Sequence, residues 1–336
     1  MRTGRSVGVI DASEVAVARR AAAECAAVLR MSETAAGRAS LVATELATNL
    51  IKHGGGGTML FGSDDGALTI IALDKGRGID NVPAAMRDGY STAGSPGTGL
   101  GAIARGGSGF DVYSLPDRGT AVLCRVRDAD RPDHDRDRGR APRSNIVTAG
   151  VCIPKPRETE SGDTWAAAET GETITICVAD GLGHGPIAAQ ASQAAVRVLD
   201  AHADAELPRL YEEMHGALRA TRGAAVGIAR IYASQRRIDF CGVGNIAGIV
   251  IADENVRRTV SQPGIVGHEM RKTQTFSYPW AEESVLVLHS DGVSGSWSPA
   301  NYPGLMQHDP ALIAAVLYRD HCRGTDDATV VVAKAS

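Results

Sequence analysis

Between Arg127 and Arg143 the chain reads RDADRPDHDRDRGRAPR, with six Arg, five Asp, two Pro and, those Pro aside, no apolar side chain larger than Ala. A segment so charged cannot bury enough surface to offset the entropy of ordering it, and it reads as a linker. It divides the 336 residues into lobes of 1–126 and 144–336, and 43% hydrophobic side chains supply enough apolar material for two cores. Basic and acidic side chains nearly balance before the linker, 13 against 12, whereas 144–336 carries 16 against 22. The acidity therefore lies in the second lobe, where several Asp could be holding cations.

Several classes are excluded at this stage. No run reaches the roughly 18 apolar residues of a membrane span, and MRTGRSVGVIDASE lacks the apolar stretch of a signal peptide. A soluble, cytoplasmic chain with no membrane partner is expected. The six cysteines, Cys25, Cys124, Cys152, Cys177, Cys241 and Cys322, form no C-x-x-C pair and read as buried free thiols. Aromatic residues at 4% and a net charge of -4 leave neither a basic footprint nor a stacking platform for nucleic acid.

In the first lobe, Asp11 and Glu14 fit a capping box that opens an Ala-rich helix to about Leu29. A second helix starts near Ser32, runs through LVATELATNLI and stops at Gly54–Gly57, because so much glycine cannot stay helical. TMLFG and ALTIIALD around SDDG, then FDVYSL and TAVLCRV around PDRG, read as strand pairs, so an α/β sandwich is expected. In the second lobe NIVTAGVCIP, TITICVAD, GAAVGIARIYA, RIDFCGVG, IAGIVIA, SVLVLHSDG and ATVVVAKA read as strands. Two segments, PIAAQASQAAVRVLDAHA and PALIAAVLYRDHC, read as helices, which gives a sheet-on-sheet core flanked by helices.

Glu45 and Asn49 lie four apart on the second helix and share a face beside Leu46 and Leu50. A carboxylate and an amide held there can position a water and a magnesium ion against a nucleotide phosphate. Asp74 in DKGRGI stands at a strand end, where it can accept from an adenine amino group while Gly76 and Gly78 admit the ring. GTGLGAI places Gly97, Gly99 and Gly101 just before a helix, where bare backbone N–H groups cradle phosphate. Taken singly, each piece reads equally well as an exposed polar pair or an ordinary glycine turn.

The ordered set ELATN, DKGRGI, GTGLG and RGT resembles the GHKL ATPases, and among them the small serine kinases of the RsbT and RsbW type, over about residues 10–126. The resemblance implies a Bergerat fold binding ATP with Mg2+. Glu45 would be the base, Asn49 would hold magnesium and Asp74 would contact adenine. Gly76, Gly78, Gly97, Thr98, Gly99, Leu100 and Gly101 would line the nucleotide, with Thr120 near the adenine. The family's substrates are Ser or Thr residues on STAS-domain regulators.

The second lobe carries acidic stations at Asp163 in SGDTW, Asp180 in VADGLGHG, Asp291 in HSDGVSG and Asp326/Asp327 in GTDDATVVV. Any one Asp-Gly is usually a turn. A binuclear Mg or Mn site, however, needs such carboxylates at strand ends converging from distant parts of the chain. Together with RGAAVGIARI, GVGNI and PGIVGH, they resemble the SpoIIE and RsbX branch of the PPM Ser/Thr phosphatases over about residues 146–335. That resemblance implies a β-sandwich flanked by helices and two Mn2+ or Mg2+. Asp180 would bridge the metals, the Gly181 carbonyl would help bind one, and Asp291 and Asp326 would complete the site. Asp163 would be an outer or conditional ligand. The adjacent acids leave a one-residue choice in which Asp326 is favoured over Asp327. His184, four residues past Asp180, could protonate the leaving group, or could be a solvent-facing loop residue. The family's larger members place a His directly after the Asp-Gly pair, where this chain has Leu182. His268 and His289 read as structural, with Trp165 and Trp297 packing near the site.

The expectation is thus a Bergerat α/β domain over 1–126, a linker over 127–143 and a PPM-type domain over 144–336. Two opposed activities on one linker, each at high local concentration, would set the phosphorylation state of STAS-domain regulators, with a homodimer compatible. The alternative is a phosphatase whose first lobe only binds nucleotide or docks a partner.

Overall fold

The computed structural model describes residues 2–64, 66–86, 99–128, 144–252, 255–270 and 273–335. The chain forms two compact units, Met1–Asp137 with Pro303–Val316, and Arg138–Tyr302 with Leu317–Ser336. Among the described residues, no helix is long and apolar enough to cross a membrane.

The first unit runs β1 (Arg2–Val9), α1 (Ala12–Val28), α2 (Glu33–Asn49), a π-helical turn at Leu50–Gly54, β2 (Gly57–Asp64) and β3 (Ala67–Leu73). It continues through α3 (Val82–Ala85), α4 (Leu100–Gly106), β4 (Gly109–Leu115) and β5 (Gly119–Val126). Its antiparallel strands lie in the order β1-β2-β3-β5-β4. The capping box is present: Asp11 accepts from Ser13 N at 2.8 Å, and Glu14 accepts from Asp11 N at 3.1 Å. Alanines at 18, 21, 22, 39, 43 and 47 let α1 and α2 lie close to Met59, Phe61 and Ile70 of the sheet, forming one core.

Two features depart from the sequence reading. β1 precedes the first expected element, and its signal is short, with Val7 and Val9 buried and Ser6 and Gly8 exposed. The charged segment also begins inside the fold: Asp128 is 7% exposed and accepts from Ser32 N and Oγ, while Arg127 O accepts from Arg38 Nη2 at 3.0 Å. Within the same unit, Asp309 accepts both Arg125 Nη1 and Nη2, at 2.7 and 3.0 Å, the forked geometry an arginine–carboxylate pair favours.

The second unit holds β6 (Ile146–Ile153), β7 (Asp163–Thr170), β8 (Thr173–Gly181), α5 (Gly185–Ala201), α6 (Leu207–Leu218), β9 (Ala224–Tyr232) and β10 (Arg237–Val243). Then follow β11 (Ala247–Ala252), β12 (Asn255–Arg258), β13 (Phe276–Pro279), β14 (Val285–His289) and β15 (Ala328–Ala335), with residues 317–321 of α7 (Pro310–His321), whose first seven residues belong to the first unit. Strands pair in two orders, β13-β10-β9-β8-β7 and β12-β11-β14-β15-β6. Alternation along β8 feeds two apolar layers. Ile176 and Val178 meet Trp165, Phe240, Leu286 and Val331, while Cys177 and Ala179 meet Leu199, Tyr211 and Met214.

Only two helices were expected here, and α6 corrects that reading. Its buried Leu207, Leu210, Tyr211, Met214 and Leu218 follow a helical period. β7 was also unassigned, because DTWAAAET carries alanines that favour a helix. All six cysteines are free; Cys124, Cys177 and Cys241 are buried, while Cys25, Cys152 and Cys322 are only half-buried.

Tyr211 pins α6 to the sheet, its buried hydroxyl lying 2.7 Å from Val226 O and 2.8 Å from Cys241 O. Tyr211→Phe is expected to cost about 1 kcal/mol in urea unfolding. Tyr211→Ala, which also opens a cavity, should cost about 3–5 kcal/mol. Equal losses for the two variants would show that the hydroxyl, and not the ring, carries the contact.

Candidate functional site

The acidic stations of the second unit are brought together by sheet register. Asp163, the first residue of β7, is the cross-strand partner of Asp180 near the end of β8, and Asp180 also pairs with Ala225 on β9. Glycines permit the loops to close in. A Cβ on Gly181 would lie 2.0 Å from Ala188 O in α5, and one on Gly292 would lie 1.8 Å from Asp327 O. The second contact draws the Asp291 turn against the strand that follows Asp326. A cavity of about 230 Å³ results, lined by Lys155, Asp180, Leu182, Gly183, His184, Ala225, Asn245, Asp291 and Asp326.

The adjacent acids Asp326 and Asp327 are placed differently. Asp326 lines the cavity, whereas Asp327 is 3% exposed and accepts from Lys155 N at 2.8 Å and Gly162 N at 3.0 Å. Asp163 is buried as well, across the strand pair from Asp180 and outside the cavity lining. Asn245 Nδ2 donates to Asp291 at 2.6 Å, and His184 Nδ1 lies 2.7 Å from Glu158 Oε1. His268 and His289 stand outside the lining, bonded to Thr221 O and Ser290 O respectively. Trp165 packs in the inter-sheet core, and Trp297 is buried.

The electrostatics are those of crowded like charges. Burial, and then the carboxylates of Asp163, Asp291 and Asp326, push the Asp180 carboxyl well above its ordinary range. Burial likewise raises Asp163. Both Asp163 oxygens are buried without a hydrogen bond of good geometry, although the side chains of Ser290, Thr329 and Asp180 face them. Oxygen-only donors whose charges repel one another suit a hard dication such as Mg2+ or Mn2+. Among the described residues no three His, Cys, Asp or Glu are gathered tightly enough to hold a metal as they stand. A magnesium-type ion that keeps several waters and takes one or two carboxylates does not require such a gathering. The donor set therefore fits.

In the first unit, Asp74 follows β3 and is packed among backbone groups. Its Oδ1 accepts from Gly76 N at 2.8 Å and Thr120 N at 3.1 Å, and its own N–H donates to Thr120 O at 2.9 Å. Gly54 at the end of the π-turn and Gly119 at φ +85° are the positions that allow this: a Cβ there would lie 2.6 Å from Asp74 Cβ and 2.1 Å from Asp74 O. Gly78, at φ +72°, crosses equally close to Leu115 O. Thr120 Oγ1 shares a hydrogen bond of 2.9 Å with Ser114 Oγ. Glu45 and Asn49 are half-buried on α2, immediately before the π-turn, a distortion found often at functional sites. Gly99 caps α4, with Leu100 and Gly101 buried in its first turn. Gly97 and Thr98 lie outside the described residues.

Several site residues were not singled out from sequence. Asn245 lay within the quoted GVGNI, but Lys155 and Glu158 sit in PKPRE, which carries no periodic or glycine signal. In the first unit, burial and the nearby charges of Arg77 and Lys52 hold the His53 imidazole below its usual range.

Two family models match the chain: Stage II sporulation protein E (SpoIIE) over residues 170–336, and Histidine kinase-like ATPase domain over residues 10–122. The phosphoserine phosphatase RsbX of Bacillus subtilis (strain 168) is 25% identical over 165 residues, 49% of this chain and 79% of RsbX. The serine/threonine-protein kinase RsbT of the same organism is 30% identical over 120 residues, 34% of this chain and 90% of RsbT. Among solved structures, a chain from the bacterial stressosome, described as a modular system adapted to control secondary messenger signalling, superposes with a TM-score of 0.53 at 25% identity. That match covers 56% of this chain and 99% of the other. RsbX in complex with magnesium superposes with a TM-score of 0.50 at 23% identity, covering 57% of this chain and 96% of RsbX, which establishes the shared fold.

A raised carboxyl pKa makes the folded form keep a proton that the unfolded chain has lost. The stabilisation it brings is complete below the ordinary value of 3.8 and is lost as pH climbs toward the raised folded value. In EDTA, the melting temperature should therefore fall between about pH 5 and pH 8. Asp180→Asn should flatten that fall and melt higher than the parent at the upper end. An unchanged slope would show that Asp180 is not held against its neighbours' charge.

Proposed function

We propose that this chain, which belongs to the histidine kinase-like ATPase domain family through its N-terminal lobe and to the SpoIIE family through its C-terminal lobe, is a bifunctional partner-switching regulator. Its second unit hydrolyses phosphoserine or phosphothreonine on STAS-domain proteins, and its first unit binds ATP with Mg2+ and phosphorylates them. The observation that carries the reading is the convergence of Asp180, Asp291 and Asp326 on one cavity, with Asp163 buried beside Asp180.

In the second unit, Asp180, Asp291 and Asp326 would hold two Mn2+ or Mg2+ ions, with Asp163 as the outer ligand and the Gly181 carbonyl as a further donor. Bound there, the ions supply Lewis acidity toward the phosphoryl oxygens and lower the pKa of water. Asn245 orients the Asp291 carboxylate through its 2.6 Å hydrogen bond, and Lys155 brings a positive charge to a cavity that must accept a phosphate dianion. His184 faces the same space and would protonate the departing seryl or threonyl oxygen.

In the first unit, Asp74, oriented by the Gly76 and Thr120 amides, would accept from the adenine amino group. Gly76, Gly78 and Thr120 would frame the ring, the start of α4 would meet the phosphates with bare N–H groups, Asn49 would hold magnesium and Glu45 would act as base.

Two assays test the reading. The purified chain should release phosphate from a phosphoserine peptide only with Mn2+ or Mg2+, and Asp180→Asn should lower kcat by about 100-fold or more. Metal-independent release, or none, would contradict the phosphatase assignment. Calorimetric titration should show MgATP binding that Asp74→Asn abolishes. Glu45→Ala should then retain binding and lose phosphotransfer to a STAS-domain protein. Binding without phosphotransfer in the parent would leave the first lobe a nucleotide-binding or docking module.

A further inference from the structure

The loop Lys155–Gly162 carries Glu158, a carboxylate outside the cavity lining that faces His184. Asp327, buried, grips the two ends of this loop through Lys155 N and Gly162 N. Between them the chain makes a tight turn in which Glu158 N donates to Lys155 O at 3.0 Å. Arg157 is held at φ +77°, a conformation a non-glycine residue adopts only when its surroundings impose it. The product of this anchoring is the position of Glu158. Its Oε1 lies 2.7 Å from His184 Nδ1, and its Oε2 lies 3.0 Å from where a Cβ on Gly185 would stand, over the first turn of the 17-residue helix α5. The positive end of that helix favours a carboxylate there.

His184 lines the acidic cavity with Asp180, Asp291 and Asp326, and its side chain is 51% exposed. A half-exposed imidazole on a loop samples many orientations unless something holds it. Glu158 is that constraint: a carboxylate accepts from Nδ1–H, which fixes the ring, and in the imidazolium, with both nitrogens protonated, Nε2–H is left as the transferable proton.

Resting on the phosphatase reading above, we infer that Glu158 is a positioning residue for phosphoester hydrolysis, orienting His184 so that Nε2 protonates the serine leaving group. In that step the water oxygen forms its bond to phosphorus while the P–O bond to the seryl oxygen breaks. The bonding pair goes to that oxygen, which takes the proton from Nε2. The proton lost by the attacking water replaces it through solvent, giving inorganic phosphate and a free hydroxyl.

The test exploits leaving-group chemistry. p-Nitrophenolate departs without a proton, whereas a seryl oxygen needs one. The full-length chain with Mn2+ is assayed on p-nitrophenyl phosphate and on a phosphoserine peptide, as parent, Glu158→Gln and His184→Asn. Both variants should lower the ratio of peptide kcat to p-nitrophenyl phosphate kcat by about 10- to 100-fold, and the double variant should fall no further than His184→Asn. A ratio within about threefold of the parent's for Glu158→Gln overturns the inference, because loss of folding or of metal lowers both rates together. Should the parent hydrolyse neither substrate, the phosphatase reading fails and this one with it.

Discussion

Like charge held out of water is the constraint around which the second unit is arranged. Antiparallel register sets Asp163 opposite Asp180, and the turns bearing Asp291 and Asp326 close on the same space. A buried carboxylate favours its protonated form because burial penalises the charge, and neighbouring carboxylates add repulsion to that penalty. Burial first, and then the charges of Asp163, Asp291 and Asp326, push Asp180 up, while burial is the main cause for Asp163. A sheet without a functional need for this arrangement would be more stable with apolar residues at these positions. The crowding is a cost that a bound dication would relieve.

Approach of backbone to backbone makes the crowding feasible. Gly181 beneath α5 and Gly292 against Asp327 are positions at which any side chain would force the loops apart. The first unit uses the same device on a smaller scale. Asp74 is embedded among Gly54, Gly76 and Gly119, so its carboxylate is aimed by two amide N–H groups and by close backbone contacts. In both units an acid at a strand end is fixed by glycine-permitted contact, and its rigidity comes from the sheet. Asp327 shows the other use of a carboxylate. Adjacent to a cavity residue, it is turned away and spends its oxygens on the 155–162 loop.

Much of this was legible in the sequence because it is written in local signals. The capping box at Asp11 and Glu14, the glycine stop after Asn49 and the β-branched runs of β8, β9 and β15 each follow from residues a few positions apart. The acidic stations were legible because each Asp has small or glycine neighbours and three of them stand at a strand–turn junction; Asp163, on the unassigned β7, had only its small neighbours. What escaped depends on distant partners. β7 reads as helix-prone in isolation and becomes a strand by pairing with β8; Asp128 sits in a run that looks solvated and is buried by the start of α2. α6 is different, since its buried positions were periodic and could have been read directly. Lys155 and Glu158 carry no motif; Asp327 holds the two ends of their loop, with Lys155 on the cavity lining and Glu158 against His184.

The central claim is that these carboxylates form a two-metal site. Calorimetric titration of Mn2+ into the metal-free, full-length chain, beside Asp180→Asn and Asp327→Asn, tests it most directly. The expected result is about two Mn2+ per parent chain, with stoichiometry lost in Asp180→Asn and binding retained in Asp327→Asn wherever that variant stays folded. No Mn2+ bound by the parent, or unchanged binding by Asp180→Asn, would contradict it.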